Sequence, residues 1–144
     1  MKTVSKNQVE LAEFKKQLAE DQKLIDQDIE SWIESVRTEV AENFGEASHV
    51  VASSFFEVLR RGGKRLRGAL VMHGYYMCGG KDKKMIIEAA RAIEIIHAYI
   101  LVIDDIQDRS IMRRGGETAH IMLRNYHQKH GLAGDSDYFG ISMG

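Results

Sequence analysis

The sequence has 144 residues, of which 44% are apolar and 28% are charged, with a formal net charge of −1 at pH 7. This composition is typical of a globular domain with a sizeable core, and it gives no basis for general attraction to nucleic acid. The longest apolar run, residues 98–103, is too short to span a bilayer, and the first residues lack the apolar core of a signal peptide. The single cysteine, Cys78, has no disulfide partner in this sequence, so we expect a cytoplasmic protein without a membrane span.

The first third of the chain is predicted to be helical. Residues 1–44 contain no glycine, and the whole sequence contains no proline. Apolar side chains recur at helical spacing, which predicts two helices at about 7–20 and 22–44, or one long bent helix, ending at Gly45. We interpret the interleaved charges as a solvated face and assign no chemistry to this region.

Further helices are predicted along the rest of the chain. One covers 49–61, and the next covers 66–78, with Met72, Tyr75 and Tyr76 in the core and His73 in a structural role. A long central helix is predicted over about 83–111.

After the central helix, the sequence predicts a loop at 113–116, a short helix from Thr118 to about residue 129, and a loop over 130–140. An apolar helix then begins at the final residues, and we expect that the chain is truncated there. We therefore predict a single all-α domain over 1–144, with N-terminal helices before residue 45 and a motif-bearing region after it.

The central helix carries a polar stripe on an otherwise apolar surface. Its apolar residues surround most of the circumference, which predicts a buried helix: Ile93, Ile95, Ile96, Ile100, Leu101, Val102 and Ile103. His97, Asp104 and Asp108 follow at i, i+7 and i+11, so they share one side. Asp105 adds a third acid near the negative end of the helix dipole, and we predict that a cation lies against these acids. The alternative is a solvated acidic helix end.

The acids predict a metal site. Asp104 and Asp108 are one turn apart, so their carboxylates can share a cation. Carboxylates without partner cysteines suit a hard ion, and Mg²⁺ fits best because it fills its coordination shell with water and phosphate oxygens. Arg113 and Arg114 follow closely and can bind further anionic oxygen.

A second basic group lies in the sequence GGKRLRG, residues 62–68. Two glycines let a backbone approach an anion closely, and Lys64, Arg65 and Arg67 open the following helix. The two basic groups together predict a site for two phosphorylated ligands, one held through metal and one held directly. The alternatives are a plain helix junction at the glycines and a helical bundle whose acidic and basic groups simply pair.

Four features occur in order along the chain: GGKRLRG at 62–68, His97, DDIQD at 104–108 and RRGG at 113–116. They resemble those of the trans-isoprenyl diphosphate synthases, the polyprenyl synthetase family that includes farnesyl and geranylgeranyl diphosphate synthases. The resemblance covers roughly residues 45–125. It implies an all-α bundle of the isoprenoid synthase type, of which this chain is the N-terminal half. It also implies a homodimer and a Mg²⁺-dependent prenyltransferase that condenses isopentenyl diphosphate with an allylic diphosphate.

The resemblance also implies roles for particular residues. Asp104 and Asp108 would be catalytic residues that bind Mg²⁺, with Asp105 in support, and Arg113 would be a catalytic residue that contacts the allylic diphosphate. The residues implied to hold isopentenyl diphosphate are Lys64, Arg67, His97 and Arg114. The residues implied to limit product length are Tyr99 and Ile100, and the bulk of Tyr99 indicates a short product.

Two departures from the family pattern stand out. Gly68 occupies a position where many members have proline, and the second aspartate-rich motif is missing. Members are roughly twice as long as this sequence, and that motif carries a further metal ligand. We therefore expect the chain alone to bind substrate without turnover. The alternative function is a truncated or non-catalytic helical subunit that binds substrate or a partner chain.

Overall fold

The computed structural model describes residues 6–144, and its fold is all-α, as predicted. The six helices of this region are α1 (Lys6–Asn43), α2 (Gly45–Arg60), α3 (Leu66–Met77), α4 (Lys83–Gln107), α5 (Ala119–Lys129) and α6 (Ser136–Met143). An antiparallel hairpin of two short strands, β1 (Met112–Arg113) and β2 (Gly116–Glu117), joins α4 to α5. No helix between residues 6 and 144 is long and apolar enough to cross a membrane.

The core lies where α1 packs against α2, α3 and α4. α1 is one helix of 38 residues, the second of the two predicted arrangements. Ile25, Ile29 and Ile33 recur every fourth residue and are at most 2% exposed, so they form one buried stripe. The other fully packed members of this core are Phe56, Leu59, Met72, Ile86, Ala90 and Ala98.

α4 is half exposed, whereas its apolar circumference taken alone predicts a helix that is buried on every side. One face is buried, at Ala90, Glu94, Ala98, Val102 and Asp105 among others. The opposite face has exposed fractions of 37% to 57% at Ile96, Tyr99, Ile100 and Ile103. One face stays exposed because, within residues 6–144, the helices that contact α4 leave Ile96, Tyr99, Ile100 and Ile103 uncovered.

Several predicted boundaries shift by a few residues. α4 ends at Gln107, because Arg109 adopts a left-handed backbone with φ of 53°. The predicted loop at 113–116 is the β1–β2 hairpin. The second part of the predicted 130–140 loop belongs to α6, whose start is stabilised by Asp135: its carboxylate accepts a hydrogen bond from Tyr138 N at 2.7 Å.

Most predictions for α3 hold. Met72 is buried and Tyr75 packs against the core, but Tyr76 is 41% exposed, which corrects its predicted core position. His73 has a structural partner, since its Nε2 lies 2.7 Å from Oδ2 of Asp21 on α1.

Candidate functional site

The basic residues predicted to hold one substrate lie around a single cavity of about 160 Å³. The predicted residues on its wall are Lys64, Arg67, His97 and Arg114. They come from three parts of the chain: the glycine-rich segment with the start of α3, the middle of α4, and the β1–β2 hairpin. The cavity therefore collects positive charge from segments that are far apart in sequence.

The segment before α3 turns sharply, and this turn sets which side chains face outward. Gly62 and Arg65 both have left-handed backbones, with φ of 58° and 48°. Lys64 and Arg67 are exposed, whereas Arg65 is 5% exposed. Sequence analysis placed Arg65 with the anion-binding cations, but its Nε donates to Asp26 Oδ1 at 2.8 Å, so its main partners are groups of the protein itself.

Arg67 and His97 form a hydrogen-bonded pair across the gap between α3 and α4. The Nη1 atom of Arg67 lies 3.0 Å from Nε2 of His97. A guanidinium only donates, so Nε2 accepts and the imidazole proton lies on Nδ1. Burial lowers the pKa of His97, and the positive charge of Arg67 lowers it further. The ring is therefore neutral at pH 7, and it holds Arg67 in place without adding a charge.

Arg114 approaches the glycine-rich segment closely. It has a left-handed backbone with φ of 50° and is followed by Gly115 with φ of 79°, the pattern of a two-residue hairpin turn. A Cβ at Gly63 would lie 2.9 Å from both terminal nitrogens of Arg114. The absence of a side chain at residue 63 is therefore what lets the hairpin guanidinium reach the cavity wall.

The three aspartates at the end of α4 lie in different environments. Asp104 and Asp108 are exposed, and Asp108 N donates to Asp104 O at 2.8 Å, one helical turn back. Asp105 is 1% exposed. Arg113 donates from Nε to both oxygens of Asp105, and its Nη2 lies 3.3 Å from Oδ2 of Asp104. Arg113 is thus the cation that was predicted to lie against the acids at the negative end of the helix dipole.

The exposed carboxylates fit magnesium as part of a ternary site. Among residues 6–144, no group of three histidine, cysteine or acidic side chains is close enough to hold a metal ion. Mg²⁺ often binds through one or two carboxylates and completes its octahedral shell with water and phosphate oxygens. Asp104 and Asp108 offer that donor set, which fits an ion bound together with a phosphorylated ligand.

The residues implied to limit product length lie on the exposed face of α4. Tyr99 and Ile100 are 57% and 55% exposed, and Ile100 is one turn before Asp104. Sequence analysis missed Glu94, a buried acid on the cavity wall. Its signal was a carboxylate three residues before His97 in a helix segment that is otherwise apolar.

Comparison with known proteins identifies the family. The polyprenyl synthetase family profile matches residues 48–139, and the chain belongs to this family. The geranylgeranyl diphosphate synthase of Saccharolobus solfataricus is 41% identical over 66 residues, which are 46% of this chain and 20% of that protein. The farnesyl diphosphate synthase of Haemophilus influenzae is 45% identical over 64 residues, which are 43% of this chain and 21% of that protein.

The fold matches a solved structure of the same kind. Geranylgeranyl pyrophosphate synthase from Corynebacterium glutamicum, complexed with isoprenyl diphosphate and magnesium, superposes with a TM-score of 0.76 at 23% identity. The match covers 88% of this chain and 36% of that one. The predicted isoprenoid synthase fold is therefore confirmed, and the matched segments span about a fifth of the curated relatives.

Proposed function

We propose that this chain is the N-terminal part of a trans-prenyl diphosphate synthase, a transferase of isoprenoid biosynthesis that condenses isopentenyl diphosphate with an allylic diphosphate. One observation carries the proposal. Lys64, Arg67, His97 and Arg114 surround one cavity. Arg113, the residue before Arg114, lies against the aspartates at the end of the same helix α4.

The basic cavity would hold isopentenyl diphosphate. Lys64 and Arg67 are exposed at its rim and can donate several charge-assisted hydrogen bonds to phosphate oxygens. Arg114 adds a guanidinium from the hairpin. His97 keeps Arg67 oriented, and its neutral ring leaves the Nδ1 proton free to donate.

The aspartates would hold the allylic substrate through metal. Asp104 and Asp108 would bind Mg²⁺, which when bound neutralises the charge that develops on the leaving diphosphate. Asp105 would keep Arg113 beside this point, because its carboxylate accepts the Nε hydrogen bond. Nη2 of Arg113 contacts Asp105 and Asp104, which keeps the guanidinium beside the proposed metal ligands, where it would contact the same diphosphate.

The exposed apolar face of α4 would line the path of the growing prenyl chain. Ile100 lies one turn before Asp104, and Tyr99 is the bulkiest side chain beside it. A bulky side chain so near the metal ligands supports a short product, of about fifteen or twenty carbons by the family resemblance. Apolar walls also exclude water from a carbocation during the condensation.

The proposal includes a homodimer in the cytoplasm. The exposed, unpaired thiol of Cys78 fits a reducing compartment. The homodimer follows from the family resemblance.

Calorimetry and a transfer assay test this function. Isopentenyl diphosphate should bind the 144-residue chain, and Arg67→Ala should weaken the binding about tenfold or more, as the loss of a charge-assisted contact does. Glu88→Gln, an exposed change on the same helix as His97, is the matched control. Equal affinity in wild type and Arg67→Ala would reject the diphosphate site.

A non-catalytic helical subunit is the second candidate function. The exposed face of α4 favours it, since that face is suited to contact with a partner chain. The complete protein should convert radiolabelled isopentenyl diphosphate and an allylic diphosphate into a longer prenyl diphosphate when Mg²⁺ is present. Binding without any turnover in the complete protein would support the subunit.

A further inference from the structure

A buried ion pair lies behind the basic cavity. The side chains of Arg65 and Glu94 are each 4% exposed, and Nη1 of Arg65 lies 3.6 Å from Oε2 of Glu94. Both residues line the cavity wall. A carboxylate without a neutralising partner would repel a diphosphate in this cavity. Glu94 therefore needs a role other than direct contact with the ligand.

Arg65 holds the glycine-rich segment against two other helices. Its Nε donates to Oδ1 of Asp26 on α1, and its Nη2 donates to the carbonyl oxygen of Leu59 near the end of α2, both at 2.8 Å. Its left-handed backbone, with φ of 48°, is strained for a residue with a Cβ. These side-chain bonds hold that conformation, which orients the neighbouring Lys64 and Arg67.

Glu94 holds the start of α3 against α4. Its Oε1 accepts a hydrogen bond from Gly68 N at 2.9 Å, which satisfies one of the free amides in the first turn of α3. Arg65, the residue before the helix, makes no capping bond with its side chain. This bond links α3 to α4, and it needs a residue with an amide hydrogen at position 68.

We propose that Arg65 and Glu94 are positioning residues of the diphosphate site, which set the spacing between the cations at the start of α3 and His97 on α4. This inference rests on the proposed function. Glu94 is one turn before His97, and His97 bonds Arg67, which lies one residue before Gly68. The Glu94–Gly68 and His97–Arg67 bonds therefore form two parallel links between the same two helices, and Arg65 neutralises the carboxylate.

Glu94→Gln is the deciding variant. Glutamine keeps an oxygen for the Gly68 amide but loses the ion pair with Arg65. Simple electrostatics predicts tighter binding of isopentenyl diphosphate, because a negative charge leaves the cavity wall. The positioning role predicts the opposite: affinity about tenfold weaker, as displaced supporting groups cost elsewhere. Arg65→Lys should also weaken binding, since an ammonium cannot reproduce the fork that bonds Asp26 and Leu59.

Arg91→Gln is the matched control. Arg91 lies three residues before Glu94 on α4 and pairs with Asp28 of α1 at 2.7 Å, so it joins the same two helices as the Arg65–Glu94–Asp26 group. It is not among the residues that line the cavity. Its loss should lower the melting temperature and leave the affinity for isopentenyl diphosphate within about twofold.

Calorimetry on the 144-residue chain and a proton NMR titration of His97 give separate readouts. The charge of Glu94 raises the pKa of His97 against the other influences, so Glu94→Gln should lower that pKa while Arg91→Gln should not. The inference would be overturned if Glu94→Gln and Arg65→Lys both bound isopentenyl diphosphate with wild-type affinity. If Arg67→Ala still bound more weakly in the same experiment, the proposed function would remain intact. If Glu94→Gln does not fold, Arg65→Lys decides alone. A wild-type chain that fails to bind isopentenyl diphosphate would reject both.

Discussion

Arg113 donates from Nε to both carboxylate oxygens of Asp105, at 2.7 and 2.8 Å, and its Nη2 lies 2.7 Å from Oδ1 of the same carboxylate. Asp105 is almost fully buried, so this bond compensates a charge that water does not reach. Its neighbours Asp104 and Asp108 remain exposed. The aspartate-rich motif thus divides into one buried acid that holds the hairpin and two exposed acids, of which Asp104 also contacts Arg113.

The first prediction separates these roles by stability. Asp105→Asn should lower the free energy of unfolding by about 2–3 kcal/mol, because Arg113 loses the charge that compensates it in a largely buried setting. Asp108→Asn, at an exposed position, should change it by less than about 0.5 kcal/mol. Urea unfolding followed by circular dichroism measures both. Equal effects would show that Asp105 has no special structural role.

The second prediction concerns turnover in the complete enzyme. Asp104→Ala or Asp108→Ala should lower kcat at least about 10²–10³-fold, because each removes a ligand of the ion that stabilises the leaving diphosphate. Raising the Mg²⁺ concentration should recover part of the loss. Near-normal kcat in both variants would contradict the assignment of these residues to the metal.

The third prediction concerns pH. Burial lowers the pKa of His97 and of His120, whose Nδ1 is buried with no hydrogen-bond partner among residues 6–144. Both histidines therefore take up protons more readily in the unfolded chain. Their contribution to stability is complete above the ordinary pKa of 6.5 and is lost as the pH falls below it toward the folded values.

Thermal unfolding between pH 7.5 and about pH 5 checks this expectation, since protonation of the unfolded chain lowers the melting temperature. His120→Gln should flatten the profile in that range. His130→Gln is the control, because His130 is an exposed histidine. A profile that keeps its full slope in His120→Gln would contradict the prediction.

The fourth prediction compares two glycines of α3. A Cβ at Gly68 would lie 2.8 Å from Cδ1 of Ile25 and 3.2 Å from the carbonyl oxygen of Ala90, whereas a Cβ at Gly74 meets nothing within 4 Å. Gly68→Ala should therefore destabilise by about 1–3 kcal/mol through overpacking. Gly74→Ala should stabilise by about 0.5–1 kcal/mol, because alanine is the better helix former. If the two substitutions shifted the melting temperature in the same direction, packing would not determine the effect of alanine at these two positions.

The fifth prediction concerns association. The exposed apolar residues of α4 should make the 144-residue chain an oligomer, and that chain should lack synthase activity with Mg²⁺ present. Ile100→Lys should lower the mass measured by light scattering. Met77→Lys, at an 88% exposed position on α3, should leave the mass unchanged. A monodisperse, active monomer would contradict both parts of this prediction.

The sequence predicted the fold class and the gathering of the basic residues, because both depend on patterns within single helices and short motifs. Asp104 and Asp108 are exposed and one turn apart, as the helical period requires. The exposure of the α4 face that carries Ile96 and Ile100 does not follow from the helix pattern, because an apolar pattern shows what a helix is able to bury and not which neighbours are present.

The contacts of Arg65 could not be predicted either. Three basic residues in GGKRLRG are equivalent as sequence, and only the left-handed backbone at residue 65 turns that side chain inward toward Asp26. Asp26 is 39 residues away along the chain. Such a pair depends on how α1 and α3 pack, and local periodicity carries no information about it.

The contact between Gly63 and Arg114 has an evolutionary consequence. The guanidinium of Arg114 occupies the space that a side chain at residue 63 would need. A mutation at residue 63 would therefore act through residue 114, so the effects of changes at the two positions will not add. The glycine-rich segment and the hairpin, although 51 residues apart, are therefore expected to be coupled in their tolerance of mutation.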